Sequence, residues 1–96
     1  MKLSRPVLAH EEIVARDGMV TAQHPLGARI GVEVLQKGGN AVDAAVTTAF
    51  AMGVLQPLMN GIGGVGNMVL HFADGDAKTV YYGTKAPGLA RPDMYE

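Results

Sequence analysis

The sequence contains no cysteine among its 96 residues. Disulfide bonds, zinc–thiolate sites and a cysteine nucleophile are therefore excluded, whereas the cellular compartment stays open. Excess positive charge is also lacking, because eight Lys and Arg stand against nine Asp and Glu and give a formal net charge of -1. Such a chain is poorly suited to neutralise a phosphate backbone or an anionic lipid surface. Neither nucleic acid nor a membrane is expected as a partner.

Long apolar segments are missing as well. The longest weakly polar stretch, residues 44–55, contains Thr47, Thr48 and Gly53, and it is shorter than the roughly 18 apolar residues that span a bilayer. Residues 2–12 mix charged, polar and apolar side chains and lack the apolar run of about 7–15 residues found in a secretory signal. The sequence therefore predicts neither a transmembrane helix nor a signal peptide.

The remaining composition, 48% hydrophobic and 18% charged, is typical of a globular chain with at most one small core. Residues 1–17 show no sustained periodicity, which predicts a loosely attached leader, and residues 18–96 form the predicted folded part. Within that part, residues 19–23 alternate apolar and polar side chains and predict a short strand.

The first predicted helix begins at His24-Pro25, because proline at the first helical position loses no hydrogen bond. It should end near Lys37, since Gly38-Gly39 can adopt the left-handed torsion of a helix C-terminus. Its apolar residues recur every four positions and are expected to face the core: Leu26, Ile30 and Val34, with Leu35 beside them.

A second helix is predicted from Ala41 to about Leu55, with Asn40 and Asp43 forming an N-cap pattern. Its residues are apolar on nearly every side, so protein must enclose most of its faces. A chain of 96 residues can hardly cover that surface alone, which predicts partner structure around this helix. The hydroxyls of Thr47 and Thr48 inside the helix are expected to bond the preceding turn.

A glycine-rich loop follows at residues 60–66, and residues 68–72 and 78–82, separated by turn residues, predict a β-hairpin. Residues 83–96 are predicted as loop. Glycines can form an anion cradle, but a dinucleotide site needs them between a strand and a helix, and here they lead from a helix into a strand. A structural role is favoured, in which glycine lets the backbone pass closely between helix and sheet.

Side chains capable of catalysis are few. The three histidines, His10, His24 and His71, share no metal-ligand spacing. His24 is expected to cap the first helix or to serve as its entry residue. The only serine, Ser4, lies in the predicted leader, so no activated nucleophile can be assigned. The residues alone indicate an α/β or α+β piece, with no catalytic residue, metal ligand or cofactor site.

Several ordered motifs between residues 18 and 87 resemble the start of the large subunit in the gamma-glutamyltranspeptidase family. The most specific is residues 37–45, a glycine pair followed by an aspartate-capped helix. The other matching segments are residues 19–25, 31–35 and 60–66, and the pair Ala86-Pro87.

That resemblance implies an N-terminal nucleophile hydrolase with a four-layer α/β/β/α sandwich, of which this piece would supply two helices and a hairpin. Such an enzyme is made as a proenzyme and cuts itself into a large and a small subunit. The N-terminal threonine of the small subunit attacks a gamma-glutamyl amide, such as that of glutathione, and passes the acyl group to water or an amino acid. That threonine is expected beyond Glu96, so the partners would be the rest of the large subunit and the small subunit.

One substrate-binding element is implied within this chain. The family's motif before Ala-Pro begins with an arginine, which holds the α-carboxylate of the gamma-glutamyl group, and a glutamate. Here Gly83 and Thr84 stand at those positions, and Lys85 could supply the charge instead. The predicted substrate-binding residues are therefore Gly83, Thr84 and Lys85. The alternative is a solvated Lys85 beside a pocket for another acyl group, as in cephalosporin acylase-like or oxamate amidohydrolase-like relatives, and Asn67, where the family often has an aromatic residue, points the same way.

Two interpretations from other classes stay open: a free-standing binding or structural module, and nucleotide binding through residues 61–66. The missing signal peptide suits a cytoplasmic relative better than exported glutathione-degrading enzymes, so a cytoplasmic protein is expected.

Overall fold

The computed structural model describes residues 12–95. Most of the predicted leader, with His10 and Ser4, lies outside the described residues. The described part contains two helices followed by a two-stranded sheet: α1 (Pro25–Gln36), α2 (Ala41–Leu55), β1 (Gly66–His71) and β2 (Ala77–Tyr82). This order confirms the predicted helix pair and hairpin.

Helix α1 begins and ends as its local sequence predicts. Nδ1 of His24 accepts a hydrogen bond from the backbone N–H of Leu26 at 3.1 Å, so this histidine is the expected cap. At the other end Gly38 has a φ of +91°, a torsion that glycine adopts without strain. The backbone N–H of Gly39 then donates to the carbonyl of Val34 at 3.0 Å, which satisfies a carbonyl of the last turn.

Helix α2 begins with two reciprocal hydrogen bonds. Oδ1 of Asn40 accepts from the backbone N–H of Asp43, and Oδ2 of Asp43 accepts from the backbone N–H of Asn40, each at 2.9 Å. Two backbone donors that a helix start would otherwise leave unpaired are thereby satisfied. The predicted cap is confirmed.

The two helices pack through glycine rather than through the predicted stripe of larger residues. A methyl group built on Gly27 would lie 2.6 Å from Sδ of Met52, and one built on Gly31 would collide with Oγ1 of Thr48. Both glycines are buried, whereas Leu26 is 45% exposed and the other stripe residues are only half-buried. Within the described residues, the contact with α2 is therefore made by these glycines and not by the predicted stripe, because a close approach of two backbones favours the smallest residues at the contact.

The core of the described residues is small. It consists of the two α1 glycines and of three α2 residues four positions apart: Ala44, Thr48 and Met52. The hydroxyl of Thr48 is buried and has no hydrogen-bond partner, so the expected bond to the preceding turn is not formed.

The remaining faces of α2 are exposed although they are apolar. Phe50 is 59% exposed and Val54 is 81% exposed. A solvent-facing apolar surface on a helix indicates a site that other protein structure covers. This agrees with the prediction that α2 needs surrounding structure.

Residues 19–23 do not form the predicted strand. Within the described residues, the sheet consists of β1 and β2, and no strand pairs with this segment. Its alternating burial comes from packing on the helices, because Val20 lies against Gly31 and Ala22 against Gly27. The alternation therefore reflects one-sided burial of an extended segment and not pairing with another strand.

The hairpin is antiparallel, with Gly66 opposite Tyr82. The backbone N–H of Phe72 donates to the carbonyl of Asp76 at 2.8 Å and closes the turn. Gly75 in that turn has a φ of +90°, which residues with a side chain rarely adopt. The predicted turn chemistry is confirmed, although β1 begins two residues earlier than predicted.

The two faces of β1 differ in burial, whereas every residue of β2 is exposed. Side chains alternate along a strand, and directly opposite residues share a face. Along β1 the half-buried positions are Gly66, Met68 and Leu70, and the exposed positions are Asn67, Val69 and His71. Tyr82 shares a face with Gly66, and Tyr81 shares the other face with Asn67, because these residues are partners across the hairpin.

The loop at residues 60–66 requires glycine at fewer positions than predicted. Gly63 has a φ of +86°, and Gly66 lies directly against the ring of Tyr82. Gly61, by contrast, has open space where a side chain would be. The prediction of close backbone passage between helix and sheet is therefore not supported for the loop as a whole; the tight contact is between one glycine and a side chain.

Candidate functional site

The three predicted substrate-binding residues follow directly after β2. Gly83 is half-buried, and Thr84 and Lys85 are exposed. Residues 83–87 form no regular secondary structure. The hairpin fixes where this segment begins, at Tyr82, and other contacts must set its conformation. The structure thus places the three residues together at the open end of the hairpin.

Tyr81 covers Gly83. A methyl group built on Gly83 would lie 2.6 Å from Oη of Tyr81 and 2.8 Å from its ring. Carbon atoms in favourable contact are about 3.5–4.0 Å apart, so the phenol occupies the volume where a side chain at position 83 would begin. Sequence reasoning missed Tyr81, although alternation along an extended chain puts residues 81 and 83 on the same side.

Lys85 has no carboxylate partner among the described residues. The ion pairs found there join other cations to nearby carboxylates: Arg29 with Glu33, Lys78 with Asp76, and Arg91 with Asp93. The ammonium group of Lys85 is therefore free to meet an anion from outside residues 12–95.

An apolar groove lies beside this segment, between α2, the glycine-rich loop and the hairpin. It has a volume of about 630 Å³. Its larger lining residues are Val46, Phe50, Val54, Ile62, Met68 and Tyr82. No charged side chain lines it, so the groove offers few groups that could orient a polar substrate. Because Tyr82 lines the groove and Gly83 follows it, the groove and the candidate segment meet at the end of β2.

A second cavity of about 480 Å³ lies between residues 19–23 and α2. Much of its lining is alanine, and the buried Thr48 also contributes to it. None of the lining residues is titratable at neutral pH, so this cavity contains no general acid or base. It does not form part of the candidate site.

Residues 12–95 contain no group of three histidine or acidic side chains that could hold a metal ion. None of the helices found in that range is both long enough and apolar enough to cross a membrane. His24 is engaged as the α1 cap, and His71 is the exposed last residue of β1.

Comparison with known proteins extends these observations. The family model described as Gamma-glutamyltranspeptidase matches residues 27–96. A glutathione hydrolase proenzyme of Bacillus subtilis (strain 168) is 48% identical over 85 residues, which are 85% of this chain and 14% of that protein. An acylase ACY 1 proenzyme of Pseudomonas sp. (strain V22) is 46% identical over 79 residues, which are 82% of this chain and 14% of that protein.

The solved structures agree with the sequence matches. The crystal structure of Helicobacter pylori gamma-glutamyltranspeptidase aligns with a TM-score of 0.78 and 39% identity, over 88% of this chain and 24% of that chain. The helix pair and hairpin are thus part of the α/β fold of N-terminal nucleophile hydrolases. The chain belongs to the gamma-glutamyltranspeptidase family.

The family assignment confirms the resemblance found in the sequence motifs, and the interpretation as a free-standing module is not favoured. The chain spans about a seventh of the length of the curated relatives, since it covers 14% of each. The activity of a whole protein of this family is therefore a matter for proposal.

Proposed function

We propose that the protein containing this chain hydrolyses or transfers gamma-glutamyl groups from amides of the glutathione type. The observation that carries the proposal is the 48% identity to a glutathione hydrolase proenzyme across 85% of the chain. Because the relatives are proenzymes, maturation by self-cleavage into a large and a small subunit is part of the proposal. The N-terminal threonine of the small subunit would then be the nucleophile, with its own α-amino group as base.

Within this chain, Lys85 is proposed to bind the α-carboxylate of the gamma-glutamyl group. Gly83 and Thr84 provide no cation, whereas Lys85 is exposed and has no carboxylate partner among the described residues. An ammonium group attracts a carboxylate as a point charge but lacks the planar fork of a guanidinium. Recognition of the charge is therefore expected, with less geometric selectivity than an arginine would give.

A second candidate is an amide hydrolase for an acyl group without an α-carboxylate. It is favoured by the uncharged pair Gly83 and Thr84 and by the 46% identity to an acylase ACY 1 proenzyme. In that case Lys85 would be solvated and would contribute nothing to the choice of donor.

The proposed partners are the rest of the large subunit and the small subunit. Such structure would cover the apolar groove, whose lining residues Phe50 and Val54 are exposed. No cofactor is invoked, since the proposed nucleophile and base belong to one threonine. Cytoplasmic localisation stays a prediction.

The test begins with the complete reading frame that contains this chain, expressed and purified. Self-cleavage is followed by denaturing gel electrophoresis. Rates are then compared for the gamma-glutamyl and 4-aminobutyryl anilides of p-nitroaniline, which differ only in the α-carboxylate. A product that neither cleaves itself nor hydrolyses any amide donor would contradict the proposed function.

The role of Lys85 is tested with Lys85→Gln. Loss of a charge-assisted contact worth about 1.5 kcal/mol should lower kcat/KM for the gamma-glutamyl donor roughly tenfold, while the value for the 4-aminobutyryl donor stays unchanged. Lys78→Gln is the matched control, because Lys78 is an exposed lysine of the preceding strand β2 and its Nζ already pairs with Asp76 at 3.5 Å. Equal rates for the two donors, with no effect of Lys85→Gln, would favour the second candidate.

A further inference from the structure

We propose that Tyr81 is a specificity-determining residue of the segment at residues 83–85, with its phenol hydroxyl taking the place of a side chain at position 83. The inference rests on the proposed function, in which this segment contacts the acyl group of the donor. It adds to that proposal a neutral hydrogen-bond donor beside the charge of Lys85.

The geometry around Gly83 is the first support. Oη of Tyr81 lies 2.6 Å from where a methyl group on Gly83 would be. The phenol therefore ends where the first atom of any side chain at position 83 would be placed. The surface at position 83 therefore presents the hydroxyl group of Tyr81 in place of a side chain.

The availability of that hydroxyl is the second support. Tyr81 is 71% exposed, and its hydroxyl takes part in none of the side-chain hydrogen bonds of residues 12–95. A phenol that is covered by other protein normally finds a hydrogen-bond partner. A substrate oxygen can be that partner.

The face of the hairpin on which Tyr81 lies is the third support. Its partner across the hairpin is Asn67, so an uncharged amide and a phenol stand side by side on the exposed face. Tyr82, in contrast, lies over Gly66 on the other face and lines the apolar groove. Tyr81 and Gly83 therefore lie on the side of the chain opposite the groove.

The proposal predicts a defined effect of Tyr81→Phe in the purified, self-cleaved enzyme. The ring and its packing remain, but the hydroxyl is lost. The ratio of kcat/KM for the gamma-glutamyl donor to that for the 4-aminobutyryl donor should fall about tenfold, as expected for one hydrogen bond to a carboxylate. A mere loss of folded protein would lower both rates and leave this ratio unchanged.

Gly83→Ala tests the same proposal by displacing the phenol of Tyr81 without removing its hydroxyl group. Its methyl group meets the far end of an exposed side chain, so the phenol moves aside and the backbone stays in place. The ratio of kcat/KM for the gamma-glutamyl donor to that for the 4-aminobutyryl donor, here called the donor ratio, should fall as in Tyr81→Phe. The variant that combines Tyr81→Phe with Gly83→Ala should show no larger fall than either single variant. Gly88→Ala is the control, because a methyl group there meets nothing within 4 Å. Tyr82→Phe is the control for losing a phenol hydroxyl.

The inference is overturned if Tyr81→Phe leaves an active enzyme whose donor ratio changes by less than twofold. It is also overturned if Gly83→Ala lowers the donor ratio by the same factor in the unaltered enzyme and in the Tyr81→Phe variant. An enzyme without activity on any amide contradicts the proposed function, and the inference fails with it. The two failures are distinguishable, since the first requires measurable turnover by the unaltered protein.

Discussion

The contact between α1 and α2 predicts that two apparently equivalent substitutions differ in their effect on stability. Gly31→Ala and Gly27→Ala each replace a buried glycine of α1, Gly31 in its middle and Gly27 in its first turn. The helix-propensity gain of about 0.8–1 kcal/mol for a helix interior applies in full to Gly31→Ala and only in part to Gly27→Ala. Helix propensity alone would therefore make Gly31→Ala the more stable variant, so the opposite order of stability would report the cost of the added methyl group at the helix contact.

The neighbours of the two methyl groups set that cost. At position 31 the methyl group would collide with Oγ1 of Thr48 and lie 2.8 Å from Cγ1 of Val20. Both neighbours are β-branched and stiff at χ1, so the overpacking cost should be at the upper end of the usual 1–3 kcal/mol. At position 27 the methyl group meets Sδ of Met52, the end of a flexible side chain that can move aside. Gly31→Ala should destabilise the protein by about 1–2 kcal/mol, and Gly27→Ala should be close to neutral.

The measurement is the urea-unfolding midpoint of the purified full-length protein, with both variants and the unaltered protein examined side by side. Gly31→Ala combined with Thr48→Ala should recover part of the lost stability, because one of the two colliding groups is removed. Equal midpoints for Gly31→Ala and Gly27→Ala would refute the reasoning, since the helices would then not pack as closely at Gly31 as the structure shows.

Two further predictions concern α2. Asn40→Ala should lower stability by about 1 kcal/mol because the cap of α2 is lost, whereas Asn40→Asp keeps the acceptor and should stay near the unaltered protein; equal urea midpoints for the two variants would contradict the capping role. Thr48→Val replaces an unpartnered buried hydroxyl by a methyl group and should be neutral or stabilising by up to about 1 kcal/mol. A clear loss of stability by the same assay would show that the hydroxyl is hydrogen-bonded in the complete protein.

The helix ends could be predicted because their signals are local. His24 with Leu26, and Asn40 with Asp43, form hydrogen bonds across two or three residues, so a short stretch of sequence contains all the participants. The same is true of the hairpin turn around Gly75. Such features depend little on the rest of the protein.

The helix contact could not be predicted in the same way. Periodicity identifies which large residues share a side of α1, but it does not state how closely another helix approaches. The contact at Gly31 is decided by Thr48, seventeen positions later in the chain. Similarly, alternation in residues 19–23 predicted a strand because burial on helices and pairing in a sheet give the same pattern of exposed and buried positions.

The candidate site depended on the family resemblance and not on residue chemistry. Gly83, Thr84 and Lys85 form no recognisable catalytic pattern. They were identified only because the motif of the gamma-glutamyltranspeptidase family has other residues at these positions. Tyr81 was missed because a tyrosine in a strand is unremarkable by composition. Its importance follows from a short distance to a neighbour that lacks a side chain.

The alternation of β2 links the packing of this chain to its proposed chemistry. Tyr82 lines the apolar groove, and Tyr81 lies with Gly83 on the opposite side of the chain. Two consecutive residues therefore belong to two different surfaces. Structure that fills the groove would press on Tyr82 and thereby fix the end of β2, from which residues 83–85 start. Substitutions in the groove should therefore alter rates for all donors together, because they shift the whole segment. Substitutions at Tyr81 should alter the choice between donors, because they change only what the segment presents.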